Sequence, residues 1–139
     1  VEIICLYETG QLDAVTQQSQ EFLSLIGKDP FYKDIYISRA YTALGTAAMA
    51  RGEYTQARQL FEQGREALKA QAVSRWGLWN ELRLGEVYDL LGERDLAVKQ
   101  YKYVLSFKDK WGFDDLAKTL LKNPYQRPDG PDVGPLPPL

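Results

Sequence analysis

The sequence contains no histidine, and its single cysteine, Cys5, cannot form a disulfide within the chain. Histidine is the commonest general base and the commonest metal ligand in proteins, so its absence argues against enzymatic chemistry and against a metal cofactor. Cys5 lies in an apolar stretch, where a thiol is typically buried and unreactive. Neither phosphate-binding motif, GxxxxGK[ST] or GxGxxG, occurs. These absences predict a protein without catalytic, cofactor-binding or metal-binding residues.

The chain also has no large excess of either charge and no long apolar run. Its 17 basic and 19 acidic residues give a net charge of −2 and are interspersed along the sequence. Without a positive field to attract phosphates, nucleic acid is not expected as a partner. No apolar run approaches the roughly 20 residues that span a bilayer, so membrane insertion is not expected either. One cysteine says little about the compartment, which stays open with the cytoplasm as the default.

Proline is scarce everywhere except at one end, where residues 124–139 hold six of the seven prolines. This shift divides the chain into a domain over 1–123 and a proline-rich extended tail. The tail contains two P-x-x-P segments, which favour the polyproline II conformation. Two interpretations stay open: a disordered linker, or a segment in which Tyr125, Leu136 and Leu139 pack on an aromatic-lined surface of this chain or of a second copy.

What the sequence does contain is an internal repeat with a period of forty residues. Such self-similarity indicates one supersecondary unit stacked on copies of itself. Alternating strand patterns and hairpin-turn signals are missing, so the unit is helical. The recurring pairs are Leu44 and Leu84, Gly45 and Gly85, Gly52 and Gly92, Glu53 and Glu93, and Ala57 and Ala97.

Apolar spacing and helix-ending residues predict seven helices. Pairing them in sequence gives a partial hairpin and two complete hairpins, followed by a capping helix. The predicted helices cover 1–8, 11–26, 30 to about 51, 54 to about 72, 76–91, 94–107 and 113–122. The corresponding repeats cover about 1–29, 30–73 and 74–110, with the capping helix in 111–123.

The segment Tyr41-x-x-Leu44-Gly45-x-x-Ala48, followed by Ala57-x-x-x-Phe61, resembles the tetratricopeptide repeat pattern. The second copy reads Leu84-Gly85-x-x-Tyr88 followed by Ala97-x-x-x-Tyr101, with Glu81 where an aromatic residue usually opens the motif. The resemblance covers about residues 3 to 107. It implies an all-α, right-handed solenoid of antiparallel helical hairpins.

Two features of the repeat carry structural expectations of their own. Gly45 and Gly85 fall in the middle of helices, where glycine costs about 1 kcal/mol relative to alanine. Close packing explains them if a neighbouring helix, which carries Ala57 or Ala97, approaches too closely for a side chain. Phe61 and Tyr101 are then expected to fill the gap between hairpins. The period of 40 also exceeds the 34 of the family, and the extra residues lie between Phe61 and Leu84, which predicts a longer helix or connection around 66–78.

The family typically binds peptides in a concave groove lined by the first helix of each hairpin, so the resemblance implies a non-catalytic protein- or peptide-binding scaffold. Members that grip a carboxylate use Lys, Asn and Arg residues there. Here Arg39 and Arg83 match, whereas the asparagines are missing, and local pairing of these arginines is the alternative interpretation. The groove candidates carried over by position are Arg39, Thr42, Thr46, Met49, Trp79, Leu82, Arg83, Glu86 and Asp89.

Two further interpretations concern the rest of the chain. The alternative function is a C-terminal assembly or positioning domain of a larger enzyme or secreted bacterial protein. The apolar face of residues 3–6 needs a cover, either upstream repeats or a second copy in a homodimer. Trp76 and Trp111 are expected to pack in the core and Trp79 to face the groove, while Asp114 and Asp115 are expected in the first turn of a helix.

Overall fold

A computed structural model of the chain describes residues 11–26, 33–68, 75–108 and 110–128, and every regular element in these ranges is an α-helix. This confirms the all-α class. The six helices are α1 (Leu12–Ile26), α2 (Lys33–Ala50), α3 (Tyr54–Leu68), α4 (Arg75–Leu90), α5 (Arg94–Leu105) and α6 (Asp114–Lys122).

Several predictions fall outside the described residues. These are the helix over 1–8 with Cys5, the start of a helix at Asp29-Pro30, the long connection near 69–74, and the packing of Leu136 and Leu139.

Helix ends agree with the sequence to within two residues where both can be compared. α5 ends at Leu105, and the next residue, Ser106, keeps helical dihedral angles while its hydroxyl donates to the Tyr103 carbonyl at 2.6 Å. α6 begins with two acidic residues in its first turn and is followed by Asn123 in an extended conformation, both as predicted.

The same turn joins α2 to α3 and α4 to α5, forty residues apart. Gly52 and Gly92 have φ values of +79° and +77°, which glycine adopts without a steric penalty. In each turn the following glutamate N–H reaches back five residues, to the Ala48 carbonyl at 2.9 Å and to the Tyr88 carbonyl at 2.9 Å. These bonds form the Schellman motif that ends a helix. The sequence repeat is therefore also a repeat of backbone geometry.

Each helix packs against its neighbour in sequence, and α2 also packs against α4. The predicted close approaches are confirmed. A Cβ atom added to Gly45 would lie 2.6 Å from the ring of Phe61, and one added to Gly85 would lie 2.5 Å from the ring of Tyr101. Gly64 is a third such position, where a Cβ would lie 2.8 Å from Oδ1 of Asn80. Only hydrogen fits at these contacts.

Asn80 ties three helices together at the centre of the molecule. The Thr42 hydroxyl on α2 donates to Asn80 Oδ1 at 2.8 Å, and the Asn80 amide donates to the Phe61 carbonyl on α3 at 2.9 Å. Thr42 and Asn80 are both fully buried. Because buried polar groups are costly unless paired, this chain of hydrogen bonds fixes the relative register of α2, α3 and α4.

Glu81 stands at the position where an aromatic residue usually opens the repeat motif. Here it belongs to a second buried polar cluster. The guanidinium of Arg65 lies 2.9 Å from a carboxylate oxygen of Glu81, and the amide of Gln100 donates to the same carboxylate. Burial raises the pKa of Glu81 above its ordinary value, although Arg65 and Gln100 both favour the ionised form. The cluster joins α3, α4 and α5.

Candidate functional site

Helix α4 is buried at every residue from Gly77 to Tyr88, which is more than three turns. Its residues Glu81 and Tyr88 contact side chains of α3, and Gly85 contacts α5. At about 100° per residue, Trp79 and Glu86 lie on the opposite side of the helix. They are nevertheless only 0% and 1% exposed. We call the face that carries Trp79, Arg83 and Glu86, together with the adjoining face of α2, the groove face.

The sequence-predicted groove residues are mostly interior. Among the candidates on α2, Arg39 is exposed whereas Thr42, Thr46 and Met49 are buried. Thr42 hydrogen-bonds to Asn80, so its side chain serves the contact between α2 and α4. Met49, Trp79 and Leu82 belong to the main apolar core. The buried candidates are Thr42, Thr46, Met49, Trp79, Leu82, Arg83 and Glu86, and the side chain of Asp89 is 1% exposed.

Arg83 and Glu86 form an ion pair at 3.0 Å whose side chains are 0% and 1% exposed. The pair lies one helical turn apart on α4, so each charge is balanced locally. This agrees with the interpretation of Arg83 as a paired arginine. An incoming carboxylate would have to compete with Glu86 for the same guanidinium, and removing either partner would leave a buried charge without its counterion.

An aromatic cluster marks the N-terminal half of the groove face. The rings of Trp76 and Trp79 meet edge to face with centroids 5.3 Å apart, and the Arg39 guanidinium lies 5.5 Å from the centroid of the Trp76 ring. The indole N–H of Trp79 is buried and has no hydrogen-bond partner within the described ranges. Trp76 and Trp111 pack against the core, as predicted. The cluster combines apolar rings, an exposed cation and a donor.

Asp89 is the polar hub at the other end of the groove face. Its carboxylate accepts hydrogen bonds from Arg94 at 3.0 Å, from the Tyr101 hydroxyl at 2.7 Å and from the backbone N–H of Tyr125 at 3.0 Å. Burial and the bond to Asp89 raise the pKa of Tyr101, so its hydroxyl stays a donor. The sequence singled out Asp89 by repeat position but gave no sign of these partners, which come from α5 and from the tail.

Arg94 extends this hub to the capping helix. The same guanidinium that contacts Asp89 donates to the carbonyls of Leu120 and Leu121 at 2.8 and 2.9 Å. Carbonyls at the C-terminal end of a helix lack partners within the helix, and a cation there is favourable. α6 is thereby held to the end of α4, and the chain leaves it beside Asp89.

The residues after α6 run in an extended path across the ends of α4 and α2. Tyr125 donates its N–H to Asp89 at the end of α4, and its ring packs against the core. Two residues later the Arg127 guanidinium donates to the Ala50 carbonyl, the last residue of α2, at 2.9 Å. Tyr125 thus packs on the core of this chain, and the predicted packing of the tail on an aromatic-lined surface stays a prediction. An extended stretch of this chain therefore already contacts a groove candidate through its backbone.

A second concave surface, which the sequence did not indicate, lies along α3. It is an open cleft of about 870 Å³ with mixed charge, and Arg65 on its wall already pairs with Glu81. No one segment supplies its lining, which explains why repeat positions did not reveal it. The lining residues are Ile37, Tyr41, Gln59, Glu62, Gln63, Arg65, Glu66, Ala67 and Tyr88.

No match is found for the chain among protein-family models, curated proteins or solved structures. Across the described ranges, no helix is both long and apolar enough to cross a bilayer. The same residues contain no group of three or more His, Cys, Asp or Glu side chains placed to hold a metal ion. The arrangement offers packing surfaces, hydrogen bonds and paired charges.

Proposed function

We propose that the protein is a non-catalytic scaffold of the tetratricopeptide repeat type that binds an extended peptide or protein segment on the groove face. In this proposal the hairpins α2–α3 and α4–α5 are successive turns of a right-handed solenoid. The observation that carries it is the path of residues 124–128, in which an extended segment donates a backbone N–H to Asp89 and a side chain to the end of α2. The ends of α4 and α2, which hold one segment of this chain, are suited to hold another beside it.

The repeat geometry supports the family assignment. Glycines at equivalent positions of α2 and α4 each meet an aromatic ring from the next helix, and equivalent Schellman turns follow. These are the Leu-Gly, aromatic and glycine positions on which the resemblance rests. In this proposal α2 and α4, which pack against each other, are the first helices of their hairpins, and such helices line the groove in this family.

The chemistry of the groove face indicates what kind of segment would bind. The half-buried Trp76, packed edge to face on the buried Trp79, provides aromatic surface, and aromatic-lined surfaces accept extended, proline-rich segments. Asp89 accepts from a backbone N–H, while the exposed Arg39 suits an acidic side chain. The partner class expected here is an extended apolar segment with flanking acidic residues.

The proposal is tested by selecting peptides from a displayed random library on the full chain and measuring their affinity by fluorescence anisotropy. Arg39→Ala removes the exposed cation of the groove face, and Lys99→Ala removes an exposed cation on α5 as the matched control. Arg39→Ala is expected to weaken binding about tenfold, and Lys99→Ala to leave it unchanged. Equal affinities for both variants, with amide shift changes confined to α3, would contradict a groove on α2 and α4.

A further inference from the structure

The cleft along α3 is a concave surface whose side chains are open to solvent. It encloses about 870 Å³, and α2, α3 and α4 all contribute to its lining. Gln59, Gln63 and Glu66 are exposed, and the side chain of Glu62 keeps 42% of its surface exposed. A binding partner can therefore reach these side chains without a rearrangement of the helices.

Four polar side chains line the cleft as one stripe on α3. Gln59, Glu62, Gln63 and Glu66 follow one another at spacings of three, one and three residues, which places them on the same face of the helix. Carboxylates accept hydrogen bonds from basic side chains, and primary amides both donate to and accept from a peptide backbone. The stripe therefore offers partners for the side chains and for the backbone of a basic peptide.

The cleft carries an excess of negative charge. Arg65 also lines it, but this guanidinium lies 2.9 Å from the buried Glu81, which balances its charge inside the protein. Arg58 is shared between Glu62 at 3.1 Å and Glu93 at 2.7 Å. In this described part of the chain two guanidiniums therefore face four carboxylates, those of Glu62, Glu66, Glu81 and Glu93. Such a surface attracts a cationic ligand.

Two arginines of the chain itself show how this side of the molecule holds a guanidinium. Arg58 lies 5.1 Å from the centroid of the Tyr88 ring while it pairs with Glu62. Arg65, which is also paired with a carboxylate, lies 5.3 Å from the centroid of the Tyr103 ring. In both cases a ring face and a carboxylate hold one planar cation, an arrangement that suits arginine better than lysine. The cationic group expected in the cleft is therefore a guanidinium.

The two carboxylates of the stripe set the spacing between bound cations. Glu62 and Glu66 are four residues apart, which is a rise of about 6 Å along the helix. In an extended peptide, side chains two residues apart lie on the same face about 6.6 Å from each other, whereas adjacent side chains point to opposite faces. Two arginines separated by one residue therefore match the two carboxylates. The half-buried Tyr41, which also lines the cleft, offers its ring to one of these guanidiniums.

We infer that the cleft along α3 is a second binding site, which takes an extended basic segment with an Arg-x-Arg sequence from a partner protein. The two guanidiniums reach Glu62 and Glu66, and Gln59 and Gln63 hydrogen-bond to the backbone of the segment. A carboxylate has about four acceptor positions, so each can take a further donor beside its partners within the chain. The site is separate from the groove face, where the exposed cation of Arg39 would repel such a segment. The scaffold would thus hold two segments of opposite charge.

The test measures fluorescence anisotropy of two fluorescein-labelled peptides on the full chain. One peptide, GRARG, has the expected spacing, and the other, GRRAG, has the same composition with adjacent arginines. The variant Glu66→Gln removes one carboxylate of the stripe. Glu53→Gln is the matched control, because Glu53 is an exposed glutamate that does not line the cleft.

The wild type is expected to bind GRARG about threefold more tightly than GRRAG, because the second arginine of GRRAG loses one exposed ion pair. Glu66→Gln should weaken binding of GRARG about threefold and make the two peptides equal, since one carboxylate remains for either. Glu53→Gln should leave both affinities unchanged. Amide shift changes on adding GRARG should be concentrated in residues 59–67.

Equal affinities of the wild type for GRARG and GRRAG, or equal affinities of the wild type and Glu66→Gln for GRARG, overturn the inference. Shift changes outside the cleft overturn it as well. The proposed function is tested apart from this, through the dependence of library peptides on Arg39. If that dependence is found and GRARG does not bind, the cleft site falls and the groove stands, whereas the reverse result removes the groove and keeps the cleft.

Discussion

Gly85 lies directly beneath the ring of Tyr101, so closely that a Cβ atom would stand 2.5 Å from the ring carbon Cε1. Forty residues earlier, Gly45 meets the ring of Phe61 in the same way at 2.6 Å. Real Cβ atoms do not approach other carbons this closely. The two contacts set how near α2 can come to α3 and how near α4 can come to α5.

Gly85→Ala is expected to lower the free energy of unfolding by about 1–3 kcal/mol, because the added methyl group overpacks a contact with a ring that is fully buried. Helix propensity acts in the opposite direction, favouring alanine by about 1 kcal/mol, so a net loss identifies the steric effect. Urea unfolding followed by circular dichroism measures it.

The control for this prediction is the combination of Gly85→Ala with Tyr101→Leu. Leucine removes the ring that the added methyl group would contact. The double variant is therefore expected to lose less stability than the sum of the losses in the two single variants. Additive losses, or a Gly85→Ala variant more stable than the wild type, would contradict close packing at this position.

Asn80→Ala is expected to destabilise the fold by about 1–3 kcal/mol, because it leaves the buried hydroxyl of Thr42 without its acceptor and the Phe61 carbonyl without this donor. Thr42→Val removes the hydrogen bond from Thr42 to Asn80, and its effect on stability should largely vanish in the Asn80→Ala background. Thr46→Val is the matched control, since the buried Thr46 hydroxyl has no partner in the described part of the chain. A larger loss for Thr46→Val than for Thr42→Val would contradict this assignment.

Much of the fold could be predicted from the sequence, because it depends on local features of the chain. Glycine at a turn with positive φ, apolar spacing along a helix and proline after Asn123 are all readable without tertiary information. The repeat then identified Gly45 and Gly85 as close contacts. Gly64 escaped notice because its neighbour is Asn80 on another helix, and no periodicity links those two positions.

The candidate site was harder to predict, since its character depends on long-range partners. Repeat position listed Asp89 only as a groove candidate, whereas its observed partners come from two other segments: Tyr101 and Arg94 from α5, and Tyr125 from the residues after α6. Thr42 shows the opposite case. Its repeat position implied a groove, yet a hydrogen bond across to Asn80 uses its side chain between helices.

The stability difference between the wild type and Glu81→Gln is expected to depend on pH. Burial raises the pKa of Glu81 in the folded protein, so the unfolded chain loses this proton at a lower pH than the folded one does. Stability contributed by the protonated carboxyl is therefore present below its ordinary pKa and is lost as the pH rises through the folded value. Glu81→Gln lacks that loss, so its free energy of unfolding should rise relative to that of the wild type between about pH 4 and neutrality.

Urea titrations at several pH values from about 4 to about 7 test this, with the exposed Glu53→Gln as the control for the loss of one negative charge. Parallel stability curves for the wild type and Glu81→Gln would show that Arg65 and Gln100 fully offset the burial of the carboxylate. If instead the wild type becomes more stable relative to the variant as the pH rises, the interactions of Glu81 with Arg65 and Gln100 outweigh the cost of burying its carboxylate.

Asp89→Asn tests whether one carboxylate holds the tail to the helices. The substitution keeps the shape of the side chain but removes the charge that faces Arg94 and turns one acceptor oxygen into a donor. An amide nitrogen in place of Oδ2 faces both the Tyr101 hydroxyl and the Tyr125 N–H, and one in place of Oδ1 faces the Arg94 guanidinium. Hydrogen bonds to charged groups contribute about 1.5–3 kcal/mol each, so the free energy of unfolding should fall by at least that amount. Amide exchange at Tyr125 should also become faster than in Asp95→Asn, which neutralises an exposed carboxylate in the first turn of α5. Unchanged exchange at Tyr125 in Asp89→Asn, despite a loss of global stability, would mean that the packing of the tyrosine ring rather than Asp89 fixes the tail on the ends of α4 and α2.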